Sequence, residues 1–232
     1  MEAVRLHRPD PDKRSVTRAL RLSLVLSVAL AAVLLSLLQK YKVTPETLMH
    51  RISQIMPTEM GLRAHFLKFS EEDGRIRMVK LVNLSGLPML SGARAKEHYC
   101  RRWLSTRLLA DYRRLDSSGS SAIPQVGVQY SQFVDSDDAY FNFGMALPQP
   151  LRKETAITLT VGCKADDHLR KTIRFATDPS IPRIVVNSTC ERCGLGPELC
   201  AVRVAPPIIY LRDKAREEEG RELAALGGDG RN

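Results

Sequence analysis

HFLKFS at 65–70 and RIRMVKLVN at 75–83, joined across Glu72-Asp73-Gly74, decide the fold. Apolar and polar side chains alternate along these runs and a turn residue separates them, so they are predicted as a hairpin of half-buried strands. Further strands are predicted in PQVGVQYSQFV (124–134), AYFNFGMALP (139–148) and TAITLTVGC (155–163), each bounded by Gly, Pro, Asp or Ser clusters. Between hairpin and meander, AKEHYCRRWLSTRLLADYRRL (95–115) is the most helical stretch, and a second short helix is predicted over 166–174. Hairpin, helix and meander together imply an α/β sandwich of an antiparallel sheet with helices to one side.

That architecture resembles small-molecule sensor domains of the GAF and PAS type, and the GAF-like unit is drawn over 59–183. The composition fits it. The 232 residues are 44% hydrophobic and 26% charged, which excludes a mostly disordered or collagen-like chain. Thirty-five Lys and Arg against 26 Asp and Glu give a net charge of +9, so anionic partners are expected.

Upstream of the hairpin, a basic leader (1–18) carries Arg5, Arg8, Lys13, Arg14 and Arg18. It runs into LSLVLSVALAAVLLSLL, Leu22 to Leu38, which holds no charge. With flanking residues, 19–41 forms a minimal membrane helix, giving a single-pass protein anchored through 20–41. The alternative is a helix buried in the core of a cytoplasmic protein, and periodicity does not separate the two because apolar residues cover every face. KVTPETLMHRISQIMP (42–57) then reads as an amphipathic helix, drawn over 42–58. Thr44 caps it, Pro45 takes the first helical position, Leu48, Ile52 and Ile55 share a face, and Pro57 stops it.

Five Cys are too few for a disulfide-stapled miniprotein, yet three crowd into NSTCERCGLGPELCAVRVAPP (187–207). Cys190, Cys193 and Cys200 stand in C-x2-C-x6-C spacing, with Gly194, Gly196 and Pro197 letting the chain curl so that three thiolates can meet one metal. A fourth ligand is needed. Cys100, Cys163, His98 and His168 are the candidates, and the apolar face shared by Cys100, Leu104, Leu108 and Leu115 on the long helix favours Cys100. Four thiolates serve zinc or an iron–sulfur cluster, and in an oxidising compartment the same residues would pair as disulfides. Arg107 lies seven residues beyond Cys100, about 20° round an ideal helix, and an Arg there wants an anion. The segment 184–210 is the Cys-rich loop, and 211–232 a charged helix and tail.

HYCRRWLSTRLL (98–109), LVNLSGLP (81–88) and CERCGLGPELCAVRVAPP (190–207) resemble the carboxy-terminal part of bacterial short-chain fatty acyl-coenzyme A regulators. These are transcription regulators of the propionate and glyoxylate-pathway type. The resemblance covers about Lys42 to Arg216. It implies a GAF-like domain that binds acyl-coenzyme A, and an iron–sulfur cluster (alternatively zinc) on Cys100, Cys190, Cys193 and Cys200. Arg101, Arg102 and Arg107 are the candidate ligand contacts, and a homodimer is expected. Such regulators normally begin with a helix-turn-helix and a metallopeptidase-like domain. These 232 residues contain neither, so the resemblance does not extend DNA binding to this chain.

Catalysis is weighed separately. Cys163, with Asp166, Asp167 and His168 shortly after it, could form a Cys-dependent hydrolase site. A buried thiol at the end of an apolar strand is the plainer reading, and no phosphate-binding loop, nucleophile elbow or zincin helix occurs. The expectation is a sensor and not an enzyme. A membrane-anchored interaction protein with a structural thiol site is the alternative.

Overall fold

A computed structural model describes residues 28–72, 74–89, 97–116, 124–134, 136–149 and 152–228. The hairpin forms as β1 (Ala64–Glu72) and β2 (Arg75–Asn83), antiparallel, with a register shift between Lys68 and Phe69. The meander follows as β3 (Gln125–Phe133), β4 (Ala139–Gln149) and β5 (Arg152–Lys164). A short β6 (Arg183–Val186), absent from the sequence reading and crossing the boundary drawn at 183, adds a parallel edge to β3. The sheet order is β2-β1-β5-β4-β3-β6. Its RIVV run after Pro182 is apolar and β-branched, a signal that four residues make easy to pass over.

Helices cover both faces, where the sequence suggested one. The helical residues 28–41 (α1), α2 (Pro45–Met60) and α4 (Asp167–Thr172) lie on one face, with Leu34, Leu48, Met49, Met56 and Leu169 packed against Phe66, Phe141, Leu159 and Val161. On the other face α3 (Leu104–Asp116) packs Leu104, Leu108 and Leu109 with Leu67, Phe69, Tyr140 and Phe133. The reason is visible in β4, whose residues Tyr140 to Leu147 are all buried. A strand buried on both sides needs a layer on each, and its aromatic content masks the alternation a one-sided sheet would show.

Two helices differ from expectation. Pro57 does not stop α2; the helix runs one turn further and ends at Gly61, whose positive φ of 65° closes the cap with an N–H to the Met56 carbonyl. Thr44 caps the start as expected. The long helix begins only at Leu104, because Tyr99 is extended and bridges to Thr189. Cys100 therefore precedes the helix and shares no helical face with Leu108, and Leu115 is exposed. The expected 166–174 helix forms as α4, with Asp166 accepting from the Leu169 N–H, followed by a 3-10 turn over Arg174–Thr177. A charged α5 (Ile208–Gly228) ends the described chain.

The first nine residues of the expected membrane segment, 19–27, lie outside the described residues, as does the leader. Among the described residues no helix is long and apolar enough to cross a membrane. Leu34 of α1 is buried in the core, while Val28, Val33 and Leu35 are exposed.

The face of the sheet beneath α3 is polar along one line. His65 on β1 is fully buried, with Nδ1 2.8 Å from Ser85 Oγ and Nε2 2.8 Å from Asn142 Oδ1. The Asn142 amide group donates to Ser131 Oγ and the Tyr140 carbonyl, so its oxygen must face His65. This assigns the proton to Nε2 and makes Nδ1 the acceptor of the Ser85 hydroxyl. Burial pushes this imidazole down from 6.5 to about 4. On acidification the unfolded chain therefore takes up this proton first. His65 contributes its full stability above about pH 6.5 and loses it as pH falls toward 4, on the order of 2–3 kcal/mol. Urea unfolding at pH 7 and pH 4.5 checks this: the His65→Gln chain is expected to lose less stability between the two than the unaltered chain, and equal losses would refute it.

Candidate functional site

The bridge that shortens α3 also builds the thiol corner. Tyr99 and Thr189 pair antiparallel, with the Cys190 N–H donating to the His98 carbonyl at 2.8 Å and the Cys100 N–H to the Ser188 carbonyl at 3.3 Å. Two charged pairs clamp the same junction. Arg192 donates through Nε and a terminal nitrogen to both Glu97 oxygens, each at 2.9 Å, the bidentate geometry of a strong pair. Glu191, which is buried, receives the His98 N–H at 3.0 Å and lies 2.7 Å from His98 Nδ1. Thus Glu97-His98 meets Glu191-Arg192 across 93 positions of sequence.

Arg203 closes the loop from the other side. Its guanidinium donates to the carbonyls of Cys190 at 2.9 Å, Cys193 at 3.1 Å and Leu195. The Glu191 carbonyl accepts the N–H groups of Ile209 and Tyr210, hanging the first turn of α5 from the same residue. Gly194 is required there, since a Cβ would stand 2.6 Å from the Tyr210 ring.

All five thiols are free and buried. Cys100, Cys190, Cys193 and Cys200 gather in this corner, close enough that Cys190 and Cys193 act electrostatically on Cys100, and Cys200 and Cys190 on Cys193. Burial pushes the Cys100 thiol up to about 11, and burial also raises Cys193, with Arg203 opposing. Among the described residues no three His, Cys, Asp or Glu side chains form a group ready to hold a metal ion. The donor set nonetheless suits a soft, thiolate-bound group: four thiols, no disulfide, and Glu191 already committed to His98.

The other expected residues fall in two places. Arg102 Nε donates to the Val185 carbonyl at 2.7 Å and a terminal nitrogen to the Leu199 carbonyl, tying β6 to the Cys loop. Arg107, on α3, donates at 2.8 Å to Gln129 Oε1, whose amide group donates to the Arg102 carbonyl. Burial lowers the Arg107 guanidinium from its ordinary value. Among the described residues, Arg101 Nε is buried with no hydrogen-bond partner. Cys163 and His168 are elsewhere, around a separate cavity with Asp166. There burial, with Asp166 adding to it, pushes the Cys163 thiol up to about 12, and His168 Nε2 lies 2.8 Å from the Met60 carbonyl.

Sequence reasoning passed over Glu97, His98 and Glu191 as structural partners of the cysteines. The readable signal was charge order, an acid followed by a base beside each Cys segment. No family model, no curated protein and no solved structure matches the chain.

Proposed function

We propose that this chain is a ligand-sensing regulatory module and not an enzyme. A GAF-like α/β sandwich meets a short acyl-coenzyme A or similar anionic metabolite, and Cys100, Cys190, Cys193 and Cys200 hold an iron–sulfur cluster or, alternatively, zinc. The observation that carries the reading is the Tyr99–Thr189 bridge, which sets Cys100 beside a loop some ninety residues later. When bound, the inorganic group would supply a thiolate-held tie between that loop and the start of α3, redox-sensitive if it contains iron.

The chain's own residues do the rest. Glu97, Glu191 and Arg192 hold the two Cys segments in register, and Arg203 orders the loop carbonyls. Arg101, whose buried Nε has no partner among the described residues, and Arg107, facing the neutral amide of Gln129, are the cations offered to the metabolite's phosphates. A change at the thiol corner would be felt by α3 and by α5, which hang from the same junction. Transmission to a second copy in a homodimer belongs to this proposal.

Metal analysis and visible spectroscopy of protein purified without oxygen test it. Stoichiometric iron with visible charge-transfer absorption is expected, and Cys100→Ser is expected to remove most of it. A colourless protein with stoichiometric zinc would make the corner a structural staple. Metal-free protein, or metal content indifferent to Cys100→Ser, would refute the site.

One observation favours a second reading, a membrane-anchored interaction protein with a purely structural thiol site: α1 leaves Val28, Val33 and Leu35 exposed. Flotation of the full chain with liposomes distinguishes this single-pass reading from a cytoplasmic one.

A further inference from the structure

Where β1 begins and β5 ends, beside the Ala64–Cys163 pair, lies a cavity of about 160 Å³. Arg63, Lys164, His168, Ser85 and Asp166 bring polar side chains to its wall, and Leu62 and Cys163 line the remainder. Several of these groups are already engaged. Asp166 accepts from the Leu169 N–H as the cap of α4, His168 lies against the Met60 carbonyl, and Lys164 is 2.6 Å from Asp138. Asp166 is turned to its own helix but keeps its charge, and Lys164 is shared with Asp138, so the wall carries the two cations Arg63 and Lys164 against one carboxylate. The volume admits a handful of non-hydrogen atoms, the size of a small oxyanion and far below a nucleotide.

Ser85 makes this cavity more than a surface dent. Its hydroxyl donates to His65, and from there the polar line under α3 runs unbroken: His65 to Asn142 at 2.8 Å, Asn142 to Ser131 at 3.1 Å, Ser131 to Gln129 at 2.9 Å, and Gln129 to Arg107 at 2.8 Å. His65, Asn142, Ser131 and Gln129 are each 0% exposed. Four fully buried polar side chains on β1, β4 and β3 are costly unless every partner is in place, so the line has few alternative arrangements. One end is the cavity wall. The other is Arg107 and the Arg102 carbonyl, at the start of α3.

We propose that this cavity is a second ligand site, taking a small oxyanion, carboxylate or phosphate, on Arg63 and Lys164, and that Ser85 reports its occupancy to the start of α3 through the buried line. An oxyanion there offers Ser85 a competing acceptor. When the hydroxyl turns to it, His65 Nδ1 loses its donor, and each partner down to Arg107 must readjust. This inference does not depend on the thiol corner and survives if no metal binds there.

The chain carries its own reporter. Its only tryptophan, Trp103, precedes α3 by one residue, packs edge-on against Phe133, and donates to the Asn187 carbonyl at 2.7 Å. Titrating the full chain with sodium acetate and with inorganic phosphate, each against sodium chloride at matched ionic strength, tests both halves. Calorimetry is expected to show binding with a Kd of around 1 mM, the range a ligand of so few atoms can reach. Trp103 fluorescence is expected to change over the same concentrations, and the tighter of the two salts identifies the head group. Arg63→Ala and Lys164→Met are expected to weaken binding about tenfold, the value of one good charged hydrogen bond. Ser85→Ala should still bind but leave Trp103 silent; Gln129→Met, which does not touch the cavity, provides the same cut at the far end should Ser85→Ala fold poorly. Absence of binding by either oxyanion, a response equalled by chloride, or affinity unmoved by both cation variants would overturn the site. Binding with no Trp103 change in the unaltered chain would overturn the coupling.

Discussion

A Glu191→Ala chain is expected to be about 3 kcal/mol less stable than the unaltered one, measured by urea unfolding. The carboxylate is almost wholly buried and receives both the His98 N–H and the His98 ring. Removing it orphans a backbone donor, worth about 1–3 kcal/mol, and deletes a charge-assisted bond of about 1.5–3 kcal/mol, the ring part discounted because His98 is half exposed. Stability alone does not distinguish a clamp from any buried contact. The sharper readout is thiol labelling in the folded protein: Cys100 should react several times faster in Glu191→Ala, while Cys163, across the sheet, keeps its rate. Equal acceleration at both cysteines would mean general loosening, and the clamp would lose its assigned role.

The Gly162→Ala chain is expected to lose about 2–6 kcal/mol. A Cβ at 162 would stand 2.4 Å from Asn142 Oδ1 and 2.5 Å from His65 Nε2, contacts no side chain tolerates. Forcing them apart adds overpacking of about 1–3 kcal/mol to the loss of a buried hydrogen bond, about 1–3 kcal/mol. The His65 ring resonances, read by NMR, should lose the signature of a protonated Nε2 held by an acceptor. Gly144→Ala, where the close neighbours are the Leu159 carbonyl and Thr160, should also destabilise but leave those resonances in place. A Gly162→Ala chain of unchanged stability would show that the His65–Asn142 contact is not the tight passage described.

Much of the sheet could be read from local pattern. RIRMVKLVN became β2 at its expected bounds, and the 124–134, 139–148 and 155–163 runs became β3, β4 and β5 within a few residues. Period, β-branched content and flanking turn formers are properties of contiguous residues, so they survive without knowledge of the partner strand. The helix over 95–115 is the instructive failure. HYCRRWL has helical composition, yet residues 98–100 are extended because Cys190, Ser188 and Thr189 offer them a ladder, and a long-range pairing outweighs a weak local preference.

Spacing and composition by themselves identified the C-x2-C-x6-C loop, put Cys100 among four candidate companions with Cys163, His98 and His168, marked the arginines before and on α3, and implied an α/β sandwich with an antiparallel sheet. Only the folded chain decided that Cys100 reaches the loop from an extended segment, that helices cover both faces, and that His65, Asn142, Ser131 and Gln129 join into one buried line. The physical reason is common to all three. Each depends on which strands lie side by side, and register between strands is set by burial summed over the whole sheet, a quantity no short window of sequence contains.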